Sequence, residues 1–186
     1  MSKLQLFKAD EDLKPLVRSI GVGRDADLEK QLIKKSREPN ILRFTPNDAA
    51  RRFGDESMLE DWLSKGREIH WLIGEGDDLA GIIWYGKLAF PSKADSEEAP
   101  EYTFAIRLYQ GYTGHHLSVP FMRQSVGIYA RAKQEAGEPL TGLWLETDID
   151  NPAALAAYTK FGYREVGRDD KRVTMVLDGA RIKEYM

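Results

Sequence analysis

Apolar and polar positions along this chain change period several times, and each change marks an element. Leu143, Leu145 and Thr147 alternate with Trp144, Glu146 and Asp148, the period of two that puts successive side chains on opposite faces of a strand. The spacing predicts a strand over 140–148. Asp150-Asn151-Pro152 follows, a capping candidate with proline at the first helical position, where the fixed φ suits a helix and the missing N–H is not needed. Ala153 to Tyr158 are mostly good helix formers, and Gly162 stands where a left-handed residue closes a helix. Tyr163, Glu165 and Val166 open another strand, and 172–177 forms the last one. The helix between these strands is so rich in alanine that a neighbour must lie close against it.

The front of the chain reads as mostly helical. Leu4 and Leu6 mark a short strand, and 11–20 reads as a helix ending at Gly21-Val22-Gly23. Leu28, Leu32 and Ile33 form a buried stripe on a helix over 25–36, which Glu38-Pro39-Asn40 breaks. Ile41, Leu42 and Phe44 precede Thr45-Pro46-Asn47-Asp48, a plausible helix start, and Met58, Leu59, Trp62 and Leu63 line one face of a helix that ends at Lys65-Gly66. After Gly66 the period shortens. Segments 69–73 and 79–90 flank the acidic turn Glu75-Gly76-Asp77-Asp78 as an antiparallel hairpin, and 91–100 reads as a loop. Tyr102, Phe104, Ile106 and Leu108 alternate with Thr103, Ala105 and Arg107 as a further strand, ended by 110–114. A longer helix is expected from His115, with Leu117, Phe121, Val126, Ile128 and Tyr129 in the core and a stop at Gly137 and Pro139. Pro120 lies early in it, at the cost of one backbone hydrogen bond.

Composition narrows the classes. The 186 residues suit one domain over 1–186, with no internal repeat or linker, and the net charge of −3 lacks the basic surplus that nucleic-acid binding normally brings. No apolar run reaches the roughly eighteen residues of a membrane span, and the first residues lack the core of a signal peptide. With no cysteine there is no thiolate nucleophile or Cys-based zinc site, and the three histidines lack helical pair spacing. A cytoplasmic protein without a metal is the expectation, with no nucleic-acid or membrane partner and with a homodimer left open.

Two constellations carry candidate chemistry. In the first, Gly111 and Gly114 allow a tight turn between strand and helix. The N–H groups of Thr113, Gly114, His115 and His116 then point outward at a helix start, where phosphate is favoured, and Thr113 adds a hydroxyl donor. The loop is neither a P-loop nor a complete dinucleotide fingerprint. A Gly-x-x-Gly connection between strand and helix is commonly just a connection, and adjacent His115 and His116 cannot point the same way as a metal pair would. In the second constellation Asn151 and Tyr158 stand seven residues apart, on one helical face. Tyr158 can be a core aromatic beside Phe161 and Tyr163, or its phenol can protonate a leaving group; with a pKa near 10 it is a poor base at neutral pH.

Together these residues resemble the GNAT superfamily of acyl-CoA-dependent N-acyltransferases, over roughly residues 67–178. Leu145-Glu146-Thr147, then Asn151, Ala154, Tyr158, Lys160, Gly162, Tyr163 and Glu165, look like that family's strand, Asn, helix Tyr and Gly-aromatic element. Tyr112-Thr113-Gly114-His115-His116-Leu117 looks like its pyrophosphate loop, with two departures: Thr113 stands where arginine is frequent, and His116 where a second glycine or alanine is expected.

The resemblance implies an α/β (α+β) fold: a mixed, mostly antiparallel sheet of six to seven strands flanked by helices, splayed between the 102–109 and 143–148 strands. It implies acetyl-CoA as donor, its pantetheine arm on the main chain of Ile106, Arg107 and Leu108, with Asn151 contacting that arm and the diphosphate on Thr113, Gly114, His115, His116 and Leu117. An acceptor amine attacks the thioester in a ternary complex while Tyr158 protonates the departing thiolate. Glu146, Glu101 or a histidine removes the amine proton; Glu146 is preferred, against its reading as a solvated strand carboxylate. Asp95, Glu97, Glu98 and Glu101 could draw a cationic acceptor, and Trp71, Trp84 and Tyr85 could wall its pocket or simply pack. The alternative is a non-catalytic acyl-CoA sensor of the same fold. A doubly wound nucleotide-binding domain conflicts with the hairpin over 69–90, because such folds alternate strand and helix throughout.

Overall fold

The computed structural model describes residues 3–91 and 99–186, so Asp95, Glu97 and Glu98 lie outside the described residues. Its strands are β1 Gln5–Lys8, β2 Val17–Val22, β3 Glu68–Gly74, β4 Leu79–Lys87, β5 Tyr102–Leu108, β6 Gly142–Asp148, β7 Arg164–Arg168 and β8 Arg172–Asp178. Its α-helices are α1 Ala26–Lys35, α2 Pro39–Phe44, α3 Glu56–Ser64, α4 Ser118–Glu135, α5 Pro152–Phe161 and α6 Gly179–Lys183. The strands form one sheet in the order β1-β2-β3-β4-β5-β6-β8-β7. Antiparallel pairs predominate: β1 with β2, β2 with β3, β6 with β8 and β7 with β8, against a parallel β5–β6 pair.

Eight described strands exceed the expected six to seven, and the difference arises in the first twenty residues. The helix expected over 11–20 is absent; a 3-10 turn at Glu11–Leu13 leads into β2 instead. Pro15 would sit in mid-helix without an N–H to donate, while β-branched Val17, Ile20 and Val22 favour a pleated surface. Two smaller differences follow the same logic of local context. The hairpin's second strand ends at Lys87 rather than 90, and a short C-terminal helix, α6, follows β8.

Contacts divide the chain into two units, Met1–Trp84 with Ile106–Leu117, and Tyr85–Ala105 with Ser118–Met186. In the first, α1 starts where Asp25 accepts hydrogen bonds from the N–H groups of Asp27 and Leu28 at 3.1 and 3.0 Å, and Leu28 and Leu32 are buried. Asp55 caps α3 in the same way, accepting from Met58 N–H at 2.8 Å. Leu59, Trp62 and Leu63 face inward from α3, while Met58, expected on that face, is exposed. Residues 48–52 form a single π-helical turn. The acidic hairpin tip is held from several sides: Arg18 pairs with Asp77, Lys35 with Asp78, and Gln31 bonds both the Asp77 carbonyl and Leu79 N–H.

In the second unit β6 is buried on both faces at Leu143, Trp144 and Leu145, and β8 pairs with it along its full length from Gly142↔Asp178 to Asp148↔Arg172. Asn151 caps α5 by accepting from Ala154 N–H at 3.2 Å, Pro152 occupies the first helical position, and Gly162 closes the helix at φ 118°. The close neighbour that the alanine content called for is α4. All the core positions expected at the α4 end of the chain, Leu117, Phe121, Val126, Ile128 and Tyr129, are buried.

Candidate active site

The first unit contributes the C-terminal half of β5 and the loop after it. Tyr109 N–H donates to the Ala80 carbonyl at 2.9 Å, so main-chain alternation puts the polar groups of Ile106 and Leu108 on the edge of β5 away from β4. On that edge the Ile106 carbonyl accepts from Arg107 Nη1 at 2.8 Å and the Leu108 carbonyl from Asn40 Nδ2 at 3.4 Å. The N–H groups of Ile106 and Leu108 lie on the same edge. Arg107 itself is anchored: its guanidinium donates to Asp48 at 2.6 Å, and Arg52 donates to the same carboxylate at 2.8 Å. Burial pushes the Asp48 carboxyl up, but the charges and hydrogen bonds of the two arginines outweigh it and hold the group below the usual carboxylate range.

The loop is open. Thr113, Gly114, His115 and His116 are exposed, and Leu117 alone of this run is buried. Gly111, Gly114 and His116 take left-handed φ values of 92°, 82° and 59°, so the histidine adopts the conformation that a glycine would adopt freely. This corrects the expected helix start. A left-handed residue at 116 cannot continue a right-handed helix, and α4 begins at Ser118 rather than His115. Pro120 is then the third helical residue, where N–H groups have no intrahelical partner, so it removes no helical hydrogen bond. At the loop's start, Tyr112 packs over the hairpin: a Cβ at Gly74 would collide with its hydroxyl. Burial and the neighbouring Asp78 and Glu75 charges push the Tyr112 phenol up.

The second unit contributes the remaining candidates. The parallel β5–β6 ladder covers Tyr102↔Leu143 and Thr103↔Trp144 and, among the described residues, stops there. At that point the Trp144 carbonyl takes a hydrogen bond from the Thr103 hydroxyl at 3.2 Å. Tyr158 is 6% exposed and packs edge-on against Tyr163 at 5.7 Å and Phe104 at 6.4 Å. Glu146 is exposed on β6 opposite Thr174. Asn151 commits its side-chain oxygen to the α5 cap, which leaves its amide nitrogen as donor. Ile106 to Leu117 thus fall in one unit, and Glu146, Asn151 and Tyr158 in the other.

Other candidates have structural partners. Glu101 is exposed and pairs with Lys87 at 3.2 Å, and His70 is fully buried against Glu68 at 2.9 Å. Trp71 donates to the Gly23 carbonyl at 2.8 Å, and the Tyr85 hydroxyl meets Ser125 at 2.8 Å, so both are packed core aromatics. Trp84 differs: it is buried, and its indole N–H has no partner among the described residues. The periodicity missed Asp48, Arg52 and Arg67; the available signal was Asp48 and Arg52 at i,i+4 spacing. Among the described residues there is no cluster of His, Asp and Glu able to hold a metal ion, and no helix long and apolar enough to cross a membrane.

No family model matches the chain, and no curated protein sequence matches it. Solved structures do. A spermidine N-acetyltransferase from Vibrio cholerae, in complex with CoA and spermine, is 13% identical with a TM-score of 0.64, over 88% of this chain and 96% of that one. An aminoglycoside N(6')-acetyltransferase from Legionella pneumophila is 15% identical with a TM-score of 0.67, over 90% and 96%. AAC(6')-Ib in a complex containing acetyl-CoA is 16% identical with a TM-score of 0.63, over 88% and 94%. The chain shares the fold of these N-acetyltransferase structures.

Proposed function

We propose that this protein is an N-acetyltransferase, a single GNAT-type domain that moves the acetyl group of acetyl-CoA to a primary amine. The observation that carries the reading is the early end of the β5–β6 ladder, in a fold shared with acetyltransferases solved with CoA or acetyl-CoA. The pantetheine arm runs along the unpaired edge of β5, where Ile106 and Leu108 offer N–H groups; Arg107, between them, fixes the strand through Asp48. The N–H groups of the 113–117 loop receive the diphosphate, a role that depends on backbone and not on the side chains at Thr113, His115 and His116. Asn151 donates its amide to the pantetheine arm.

The chemistry follows from the groups present. The acceptor nitrogen attacks the thioester carbonyl carbon, a C–N bond forms, and the C–S bond breaks as the tetrahedral intermediate collapses. Tyr158 gives its phenol proton to the departing thiolate. Glu146, directly or through water, takes the proton from the attacking amine, and the products are an N-acetyl amide and CoA thiol.

Thiol release from acetyl-CoA over a panel of amines, with acetyl-CoA binding by calorimetry, tests this. Binding with amine-dependent thiol release is the expected result. Binding without release across the panel makes the chain an acyl-CoA sensor, and no binding at about millimolar acetyl-CoA, a binding energy near −4 kcal/mol, removes both readings.

A further inference from the structure

Two arginines in the first unit share a single carboxylate, and a third lies within reach of the charge of one of them. Arg107 and Arg52 both donate to Asp48, which is 1% exposed. Arg67 has no carboxylate partner among the described residues; it donates to the Lys65 carbonyl at 2.9 Å. Burial and the neighbouring Arg52 charge hold the Arg67 guanidinium below its ordinary value. Asp48 is shared by two guanidinium groups, and Arg67 adds positive charge with no carboxylate partner among the described residues in this partly buried place. The guanidinium groups are laid over aromatic rings, Arg52 over Trp84 at 5.4 Å and Arg67 over Trp62 at 5.8 Å, and the two indoles meet edge to face at 5.3 Å.

Two donors in this cluster are buried and unbonded among the described residues: Arg67 Nε and Trp84 Nε1. Buried donors without acceptors are rare and costly. An excess of guanidinium charge beside them asks for an acceptor that is also an anion. Arg52 keeps 30% of its side chain exposed, so the cluster is open to solvent. Asp48 also ties Arg52 to Arg107, which sits on β5 between the two residues assigned to the pantetheine arm.

We propose that Arg52, Arg67 and the Trp84 indole N–H form the anion-recognising part of the acceptor subsite, so that the acceptor is a small amine that carries a carboxylate. This rests on the acetyltransferase reading and narrows its substrate class. A guanidinium fork matches a carboxylate in plane, and Trp84 Nε1 supplies a further donor. The same guanidinium charge repels polycationic acceptors of the kind named in the comparison complex with spermine.

The test uses matched acceptors: amino acids such as phenylalanine against their amides and decarboxylated amines, at equal free-amine concentration, with spermine as the cationic counterpart. The expected result is kcat/KM about 10- to 100-fold higher for the carboxylate member of each set, in line with charged hydrogen bonds. Arg67→Gln should erase that preference through KM, with kcat and acetyl-CoA affinity unchanged; Arg67→Lys should restore part of it. Trp84→Phe, which keeps a ring and removes the N–H, should lower it with the thermal midpoint tracked as a check on folding. Turnover of amides, decarboxylated amines or spermine that equals or exceeds that of the acids overturns the inference and leaves the acetyltransferase reading standing. So does a loss of acetyl-CoA affinity in Arg67→Gln, which would assign the cluster to the donor's phosphates. Absence of acetyl-CoA binding overturns both.

Discussion

Arg107 Nε lies 2.6 Å from Asp48 Oδ2, and this pair joins two segments 59 residues apart, a π-helical turn and the strand that borders the candidate site. The carboxyl is held below its ordinary value when folded. A depressed folded value contributes stability that is complete above the unfolded range near 4 and is lost as pH falls through the folded value. Asp48→Asn removes the carboxylate that two guanidinium groups share and should cost about 3–5 kcal/mol near neutral pH. Urea unfolding from about pH 7 down to about pH 2 should show the wild-type advantage shrinking below about pH 4.

Tyr158→Phe keeps the ring that packs on Tyr163 and Phe104 and removes the phenol proton, the proposed donor to the leaving thiolate. Turnover should fall about 10- to 1000-fold, with acetyl-CoA affinity nearly unchanged by calorimetry. Turnover at the wild-type level would leave Tyr158 with packing as its whole role.

Glu146 is exposed, so Glu146→Gln should leave the thermal midpoint within about 2 °C, the scale of a neutral surface substitution. If it accepts the amine proton, thiol release should drop at least about 10-fold. An unaltered rate would move that duty to water or to another group.

The loop separates backbone from side-chain effects. Gly114→Val places a β-branched residue at φ 82° and should weaken acetyl-CoA binding by at least about 10-fold, because that conformation is costly for it. His116→Gly suits φ 59° and keeps the N–H; its gain in the folded state is offset by greater freedom in the unfolded chain. Affinity should stay within about threefold of wild type, less than 1 kcal/mol. A large loss in His116→Gly would assign the diphosphate contact to the imidazole.

Segments whose geometry is set by neighbours in sequence were readable beforehand. The β6–α5–β7 unit is one: alternation at Leu143 to Asp148, the Asn151 cap and the Gly162 terminus all appear where local rules place them. Tyr102 to Leu108 is another. The helix read over 11–20 conflicts with Pro15, and the helix start read at His115 conflicts with the left-handed φ of His116, which the local sequence does not announce. Of the arginine cluster, the sequence carried only the i,i+4 spacing of Asp48 and Arg52. Asp48, Arg67, Trp84 and Arg107 are far apart in sequence, and only pairing across the fold brings their charges and rings together.

Tyr112 seated on Gly74 has a thermodynamic corollary. The turn is fastened to a hairpin tip that is itself clamped by Gln31, Lys35 and Arg18, so little backbone freedom is left for a ligand to freeze. Calorimetry should then give Gly74→Ala a larger unfavourable binding entropy than the parent protein for the same acetyl-CoA.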